Sequence, residues 1–130
     1  MEEYKFTSLC ARINSSLEVK KVIEHVGFHP DKAVKAGGLW RLFCPIHGEE
    51  IFRTLVLNPR RNTYHCEHTA CPAHQPGDMI DLLARVKRTS REYIVGELLA
   101  EYGAQRLRLT PQQEEELLDY IASVDQAEAS

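Results

Sequence analysis

Three thiols and an imidazole carry the strongest chemical signal in this chain. Cys44 and His47 stand in the run CPIH, and Cys66 and Cys71 answer them in CEHTAC. A two-residue gap lets the first pair lie on one tight knuckle. The four-residue gap allows a looser second knuckle that converges on the same ion, so the spacing predicts one structural, tetrahedral zinc site. Pro45 stiffens the first knuckle, and Pro72 follows the last cysteine. The competing reading is a set of buried thiols, or a disulfide with one odd member, and a surface His47; reduced cytosolic chains use such clusters mainly for metal. Cys10, alone in an apolar helical context, is expected to be a small buried thiol.

One ligand stays open at the second knuckle, which is crowded by His65, His68 and His74. Thiolate binds zinc strongly, and successive residues of a strand point opposite ways, so Cys66 and His65 do not both face one ion. His65 and His68 are expected beside the site or in solvent. His74, three residues past Cys71, is the rival to Cys71 as fourth ligand. Four protein ligands leave no position for a reactive water, which argues against metal-assisted hydrolysis. No Gly-rich phosphate loop, nucleophile elbow or supported carboxylate pair occurs, so no catalytic site is expected.

The elements that must position these residues follow from periodicity and caps. Ser15 and Glu18 form a capping-box pair ahead of Leu17, Val19, Val22, Ile23 and Val26, predicting a helix over 16–26 that ends at Gly27. His29-Pro30 and Gly37-Gly38 bracket a loop. LWRLFC, residues 39–44, reads as a strand entering the first knuckle; a second strand runs from Phe52 to Leu57, Asn58-Pro59-Arg60-Arg61 reverses it, and Asn62 to Cys66 returns. Gly77-Asp78 opens a helix with Met79, Ile80, Leu82, Leu83 and Val86. Thr89 with Glu92 caps another that carries Tyr93, Ile94, Leu98, Leu99 and Tyr102 and stops at Gly103. Thr110-Pro111 with Gln113 starts a last helix. The fold class is therefore α+β, a zinc ribbon on a small antiparallel sheet with flanking helices. It divides into an N-terminal lead-in (1–15), a zinc-binding domain (16–109) and an acidic C-terminal helix or tail (110–130).

The chain has 130 residues and a formal net charge of −3. It shows no twenty-residue apolar run and no signal-peptide pattern, so a soluble, cytoplasmic protein without a membrane partner is expected. The average charge conceals a basic centre. Between Lys32 and Arg91 stand ten basic and five acidic residues, a balance of +5, whereas six acidic and no basic residues follow Thr110. The two regions have opposite electrostatic preferences.

The order CPIH, YHC, a further cysteine and then GDMIDLL closely resembles the zinc-binding domain of bacterial replicative DNA primases, over roughly residues 16–103. The leading helix VKKVIEHVGF, the glycines before the first cysteine, Asn58-Pro59 and the helix pair after Gly77-Asp78 resemble their counterparts as well. The resemblance implies a zinc ribbon that binds single-stranded DNA template and helps choose where a primer starts, with zinc held by Cys44, His47, Cys66 and Cys71. It also implies a primase polymerase domain, a helicase or another replication protein as candidate partners. Three departures stand out. The family usually has a two-residue gap in the second knuckle. A family lysine after the histidine is here Glu50. The magnesium-holding polymerase domain is absent, so the chain is not expected to make a primer by itself.

Single-stranded nucleic acid is held by basic side chains on phosphates and aromatic rings under bases. Strand alternation places Arg41 and Phe43 on one face and Trp40 on the other; on the second strand Arg53, Leu55 and Leu57 oppose Phe52, Thr54 and Val56. Arg41 and Arg53, joined by Arg60 and Arg61 in the turn, form the candidate nucleic-acid track. The alternatives are that Trp40, Phe43, Phe52 and Tyr64 are core and that Arg60 and Arg61 merely solvate a turn. Arg85, Lys87, Arg88 and Arg91 complement a helix C-terminus, with phosphate contact as a secondary role. A regulatory or protein-interaction ribbon that keeps the fold without template binding is the alternative function, and Glu50 and the acidic tail favour it. That tail has only Leu117, Leu118 and Ile121 as an apolar stripe, too little for an isolated helix. It docks on a partner or a second copy, folds back on the basic centre, or packs weakly on the preceding helix.

Overall fold

Phe6, Leu9, Cys10 and Ile13 recur at the three- and four-residue spacing that lines one side of a helix. Residues Glu3–Ser15 form that helix, α1, with all four side chains buried, so the lead-in is a regular element. The computed structural model describes residues 1–27, 32–48 and 51–129, with side chains as far as residue 124; His29-Pro30 and Glu50 lie outside the described residues. Ser15 does not cap the next helix. Its hydroxyl donates to the Arg12 carbonyl at 2.8 Å within α1, and α2, Val19–His25, begins after Glu18 with no side-chain cap. The single helix expected over 16–26 is shorter because α1 has already taken up the serine.

Five strands follow the order β1-β2-β3-β4-β5, each antiparallel to its neighbour: Val34–Ala36, Leu39–Leu42, Leu55–Asn58, Thr63–Cys66 and Gly77–Asp78. β1 was not expected. Gly37 and Gly38, at φ 62° and 78°, make the two-residue hairpin turn that joins it to β2. The strand expected from Phe52 begins only at Leu55. The Thr54 N–H donates back to the Phe52 carbonyl at 3.0 Å, a three-residue turn that breaks the alternation before the ladder starts. Asn62, expected to open β4, sits at φ 53° and closes the β3–β4 turn instead, its Nδ2 donating to the Leu17 carbonyl at 2.7 Å.

Register places Leu42, Leu55 and Cys66 on one face of the sheet together with Trp40, Leu57 and Tyr64. All of these except half-buried Trp40 are buried. α3, Met79–Lys87, packs on β4 and β5 through its apolar stripe of Met79, Ile80, Leu82 and Leu83, and α2 packs on α3. Asp78 caps α3 by accepting from the Asp81 N–H at 2.7 Å. The Tyr64 hydroxyl donates to Asp81, which Arg85 also reaches at 3.2 Å. Burial first, and then Asp81, push the Tyr64 phenol far above its usual range. Residues Leu17–Arg88 form one compact unit.

Met1–Ser16 and the chain from Thr89 onward form a second unit, built from α1, α4 (Arg91–Arg106) and α5 (Pro111–Ala129). Ser90, rather than Thr89, caps α4 by accepting from the Tyr93 N–H at 3.1 Å. Gly103, at φ 78°, ψ 159°, leaves the helical conformation and ends the first stretch of α4 as expected, and a short second stretch continues to Arg106. Thr110 and Gln113 make the expected reciprocal cap of α5, at 3.1 and 2.9 Å. α5 packs on α4, as the packed-helix alternative required, with Leu117 wholly buried. It also engages α1: Lys5 Nζ lies 2.7 Å from Glu116, and the Phe6 and Tyr120 rings approach to 4.9 Å between centroids. Leu118 stays 47% exposed, so the expected stripe loses one of its three members.

The protein is thus α+β, with five helices and a five-strand antiparallel sheet among the described residues. None of the described helices is long and apolar enough to cross a membrane. Gly77 sits hard against α3 and β4, since a Cβ there would lie 2.5 Å from Asp81 Oδ2 and 2.8 Å from Tyr64 Cε1. Gly77→Ala should therefore destabilise the metal-loaded protein by about 1–3 kcal/mol, the usual penalty for overpacking. A denaturant midpoint equal to wild type would show that α3 can shift away without loss.

Candidate metal centre

Cys44, His47, Cys66 and Cys71 converge although they come from four different local structures. Cys66 is the last residue of β4, in register with Leu55 and Leu42, so the sheet itself brings it beside Cys44, two residues beyond β2. His47 follows in the turn after Cys44. Cys71 caps a single 3-10 turn, Pro72–His74, its Sγ accepting from the Ala73 N–H at 3.4 Å. One ligand atom from each of the four lies within 4.8 Å of all the others. The three cysteines are buried and free of disulfides, and His47 is half-buried.

Two distances test the fit to a metal ion. Cys44 Sγ and Cys71 Sγ are 3.9 Å apart, and Cys66 Sγ and His47 Nδ1 are 3.6 Å apart. A tetrahedral cation with metal–sulfur bonds of about 2.3 Å and metal–nitrogen bonds of about 2.0 Å has edges of about 3.8 and about 3.5 Å for these pairs. Sulfur atoms in a disulfide would stand at about 2.0 Å. The donors are spaced for one small cation, and the fold holds them there.

The surroundings orient the donors. Backbone N–H groups of His47 and Ile46 bond to the Cys44 sulfur, and Thr54 Oγ1 lies 3.3 Å from Cys66 Sγ. The His68 ring packs against that of His47, with centroids 4.7 Å apart and planes tilted by 32°. His68 Nδ1 accepts from the Ala70 N–H at 3.2 Å, which shapes the second knuckle. His74 turns its Nδ1 to the Cys66 carbonyl at 3.0 Å, so Cys71 completes the cluster and His74 braces the loop from outside. His65 alternates with Cys66 along β4 and faces away from the site. Cys10 is fully buried in the helical unit, as expected of a small thiol.

Burial pushes the Cys44 thiol up to about 12, with further upward contributions from Cys66 and Cys71; the two backbone N–H bonds offset only part of this. Cys71 is also raised, chiefly by burial. At neutral pH these thiols keep their protons unless a cation stabilises the thiolates, so metal uptake and proton release are one event.

The four candidate arginines are arranged along the sheet. Arg41 pairs with Val56 across β2 and β3 and makes an ion pair with Glu67, the residue after Cys66. Arg53 lies 4.6 Å over the Phe43 ring. Arg60 and Arg61 stand exposed in the β3–β4 turn, their N–H groups donating to Asn58 Oδ1 at 3.1 and 3.3 Å. Arg53 precedes β3 and Arg60 and Arg61 follow it, so they occupy opposite ends of that strand. Of the aromatic residues in question, Tyr64 is core, Trp40 and Phe43 are half-buried, and Phe52 is exposed. Lys35 covers Trp40 at 4.2 Å. Sequence reasoning did not find Thr54 or Glu67. No local pattern marks them, because each meets its partner only through the pairing of strands.

Comparison of the sequence with protein-family models and with curated proteins finds no match. The geometry makes its own prediction. Cys71→Ser should abolish stoichiometric metal binding while His74→Ala retains it, as elemental analysis of the purified variants will read; the reverse result would make His74 the ligand. Raised thiols also set the sign of the pH dependence. Each thiol must lose a proton to bind, so affinity measured against a competing chelator should tighten from pH 6 to pH 8 and weaken on acidification.

Proposed function

We propose that the Leu17–Arg88 unit is a zinc-stapled ribbon that binds single-stranded DNA as the template-holding part of a primase-like replication system. The observation that carries the metal half of this reading is the donor set. Three thiolates and an imidazole in tetrahedral array suit zinc, which has no geometric preference of its own and favours soft donors. Cys44, His47, Cys66 and Cys71 leave it no open position, so it crosslinks the ends of β2 and β4 to the second knuckle and performs no hydrolysis. Free buried thiols of this kind fit a reducing, cytoplasmic setting.

Charge and surface chemistry support the nucleic-acid half. The ribbon unit, residues 17–88, has eleven basic and eight acidic side chains, a balance of +3; the helical unit has five basic and eleven acidic, a balance of −6. Arg41 and Arg53 stand near the metal end of the sheet, and Arg60 and Arg61 continue the positive charge at its other end. This spacing suits a backbone that tracks along the sheet. The same resemblance supplies a polymerase domain or a helicase as partner. Glu67, already paired with Arg41, favours the second reading, a protein-interaction ribbon without template binding. Exposed ion pairs are worth little, about 0–1 kcal/mol, and a phosphate can displace the carboxylate.

Labelled single-stranded DNA titrated at several salt concentrations decides between the two. Binding should weaken steeply with salt, and Arg41→Ala with Arg53→Ala should lower affinity and flatten the log–log slope by roughly 0.7 for each phosphate no longer neutralised. Undiminished affinity in a double variant that still holds its metal removes the proposed track and leaves the protein-interaction reading.

A further inference from the structure

Ile51 and Phe52 are 79% and 68% exposed, and they stand between the first pair of metal ligands and β3. Large apolar side chains held out in water at one spot mark a surface that something covers. The backbone beneath them is fixed. The Thr54 N–H holds the Phe52 carbonyl at 3.0 Å, the Glu67 N–H holds the Thr54 carbonyl at 2.9 Å, and the Thr54 hydroxyl meets Cys66 Sγ at 3.3 Å. The metal ligand Cys66 thus sets where Phe52 projects. On the neighbouring residue, the Arg53 guanidinium is held 4.6 Å over the Phe43 ring. An exposed ring beside an anchored cation matches the two needs of each nucleotide in a single strand, a flat apolar face for the base and a positive charge for the phosphate. A purely apolar partner would leave that arginine unmatched.

We infer that Phe52 stacks on a base of the bound single strand while Arg53 holds an adjacent phosphate. The inference rests on the single-stranded-DNA reading of the same unit and adds to it a named base contact. Stacking is tolerant of sequence, so this position grips template without dictating which base it takes. The hydrogen bonds of Thr54 with Phe52 and Cys66 keep the position in place.

The test titrates oligonucleotides carrying 2-aminopurine into the full metal-loaded chain, its Phe52→Ala variant and its Phe52→Tyr variant, across a salt series. Wild type and Phe52→Tyr should bind comparably and quench the probe base. Phe52→Ala should bind about tenfold more weakly, lose the quench and keep an unchanged salt slope, because it removes a stacking surface and leaves every phosphate held. A Phe52→Ala chain that holds one metal per chain and matches wild type in affinity and quench overturns the inference while leaving the single-strand reading intact. A flattened salt slope in that variant also overturns it, since Phe52 would then act through the phosphates. If wild type sediments as a dimer and Phe52→Ala as a monomer with equal DNA affinity, the exposed pair joins two copies of the chain and the inference falls. Absence of any binding by the wild type removes the single-strand reading itself, and with it this one.

Discussion

Three buried sulfur atoms and one nitrogen of the half-buried His47 ring lie close together. Without a cation the Cys44 and Cys71 thiols hold their protons, since burial pushes both up, Cys44 to about 12. With a cation the same burial strengthens every metal–ligand interaction, because nothing screens it. The ribbon unit has roughly seventy residues, too few for a large core. Its sheet supplies short strands of two to four residues, which gain little from their ladder alone. A cation at this cluster would link the ends of β2 and β4 to the second knuckle, beside the turn at Thr54 and the His68 and His74 rings.

From that link the surface follows. Thr54 touches Cys66, and the same turn that breaks the strand at Phe52 carries the ring into solvent and lays Arg53 on Phe43. Glu67, next to Cys66, takes Arg41. Surface charge and exposed aromatic area therefore depend on the Cys/His cluster through one or two hydrogen bonds.

The helical unit rests on different physics. α1, α4 and α5 carry no candidate metal cluster among the described residues, and they bury Phe6, Leu9, Ile13, Ile94, Leu98 and Leu117. α5 lacks the apolar surface to stand alone, and its burial of Leu117, with Lys5 against Glu116, accounts for its persistence beyond the first turns. Most of the chain's negative charge lies here, which leaves the ribbon unit basic although the chain as a whole is acidic. An average over 130 residues hides that division.

The candidate metal cluster was legible from the amino-acid order because coordination is local chemistry: residue type and a two- or four-residue gap suffice to place donors on a knuckle. The α+β class, the helix over Met79–Lys87 and the Thr110–Gln113 cap were legible for the same reason, since periodicity and capping act within a few residues. α1 was also written in the spacing of Phe6, Leu9, Cys10 and Ile13, but it is a helix worth forming only against α4 and α5. What only the tertiary structure decided are the points where a group had more than one partner within reach and the packed chain selected one. Cys71 rather than His74 enters the cluster because His74 finds the Cys66 carbonyl. Ser15 ends one helix instead of starting the next. The alternation assumed for Phe52, Arg53 and Thr54 fails, because a turn inserted before β3 changes which way each side chain points, and period-two reasoning holds only while the ladder continues.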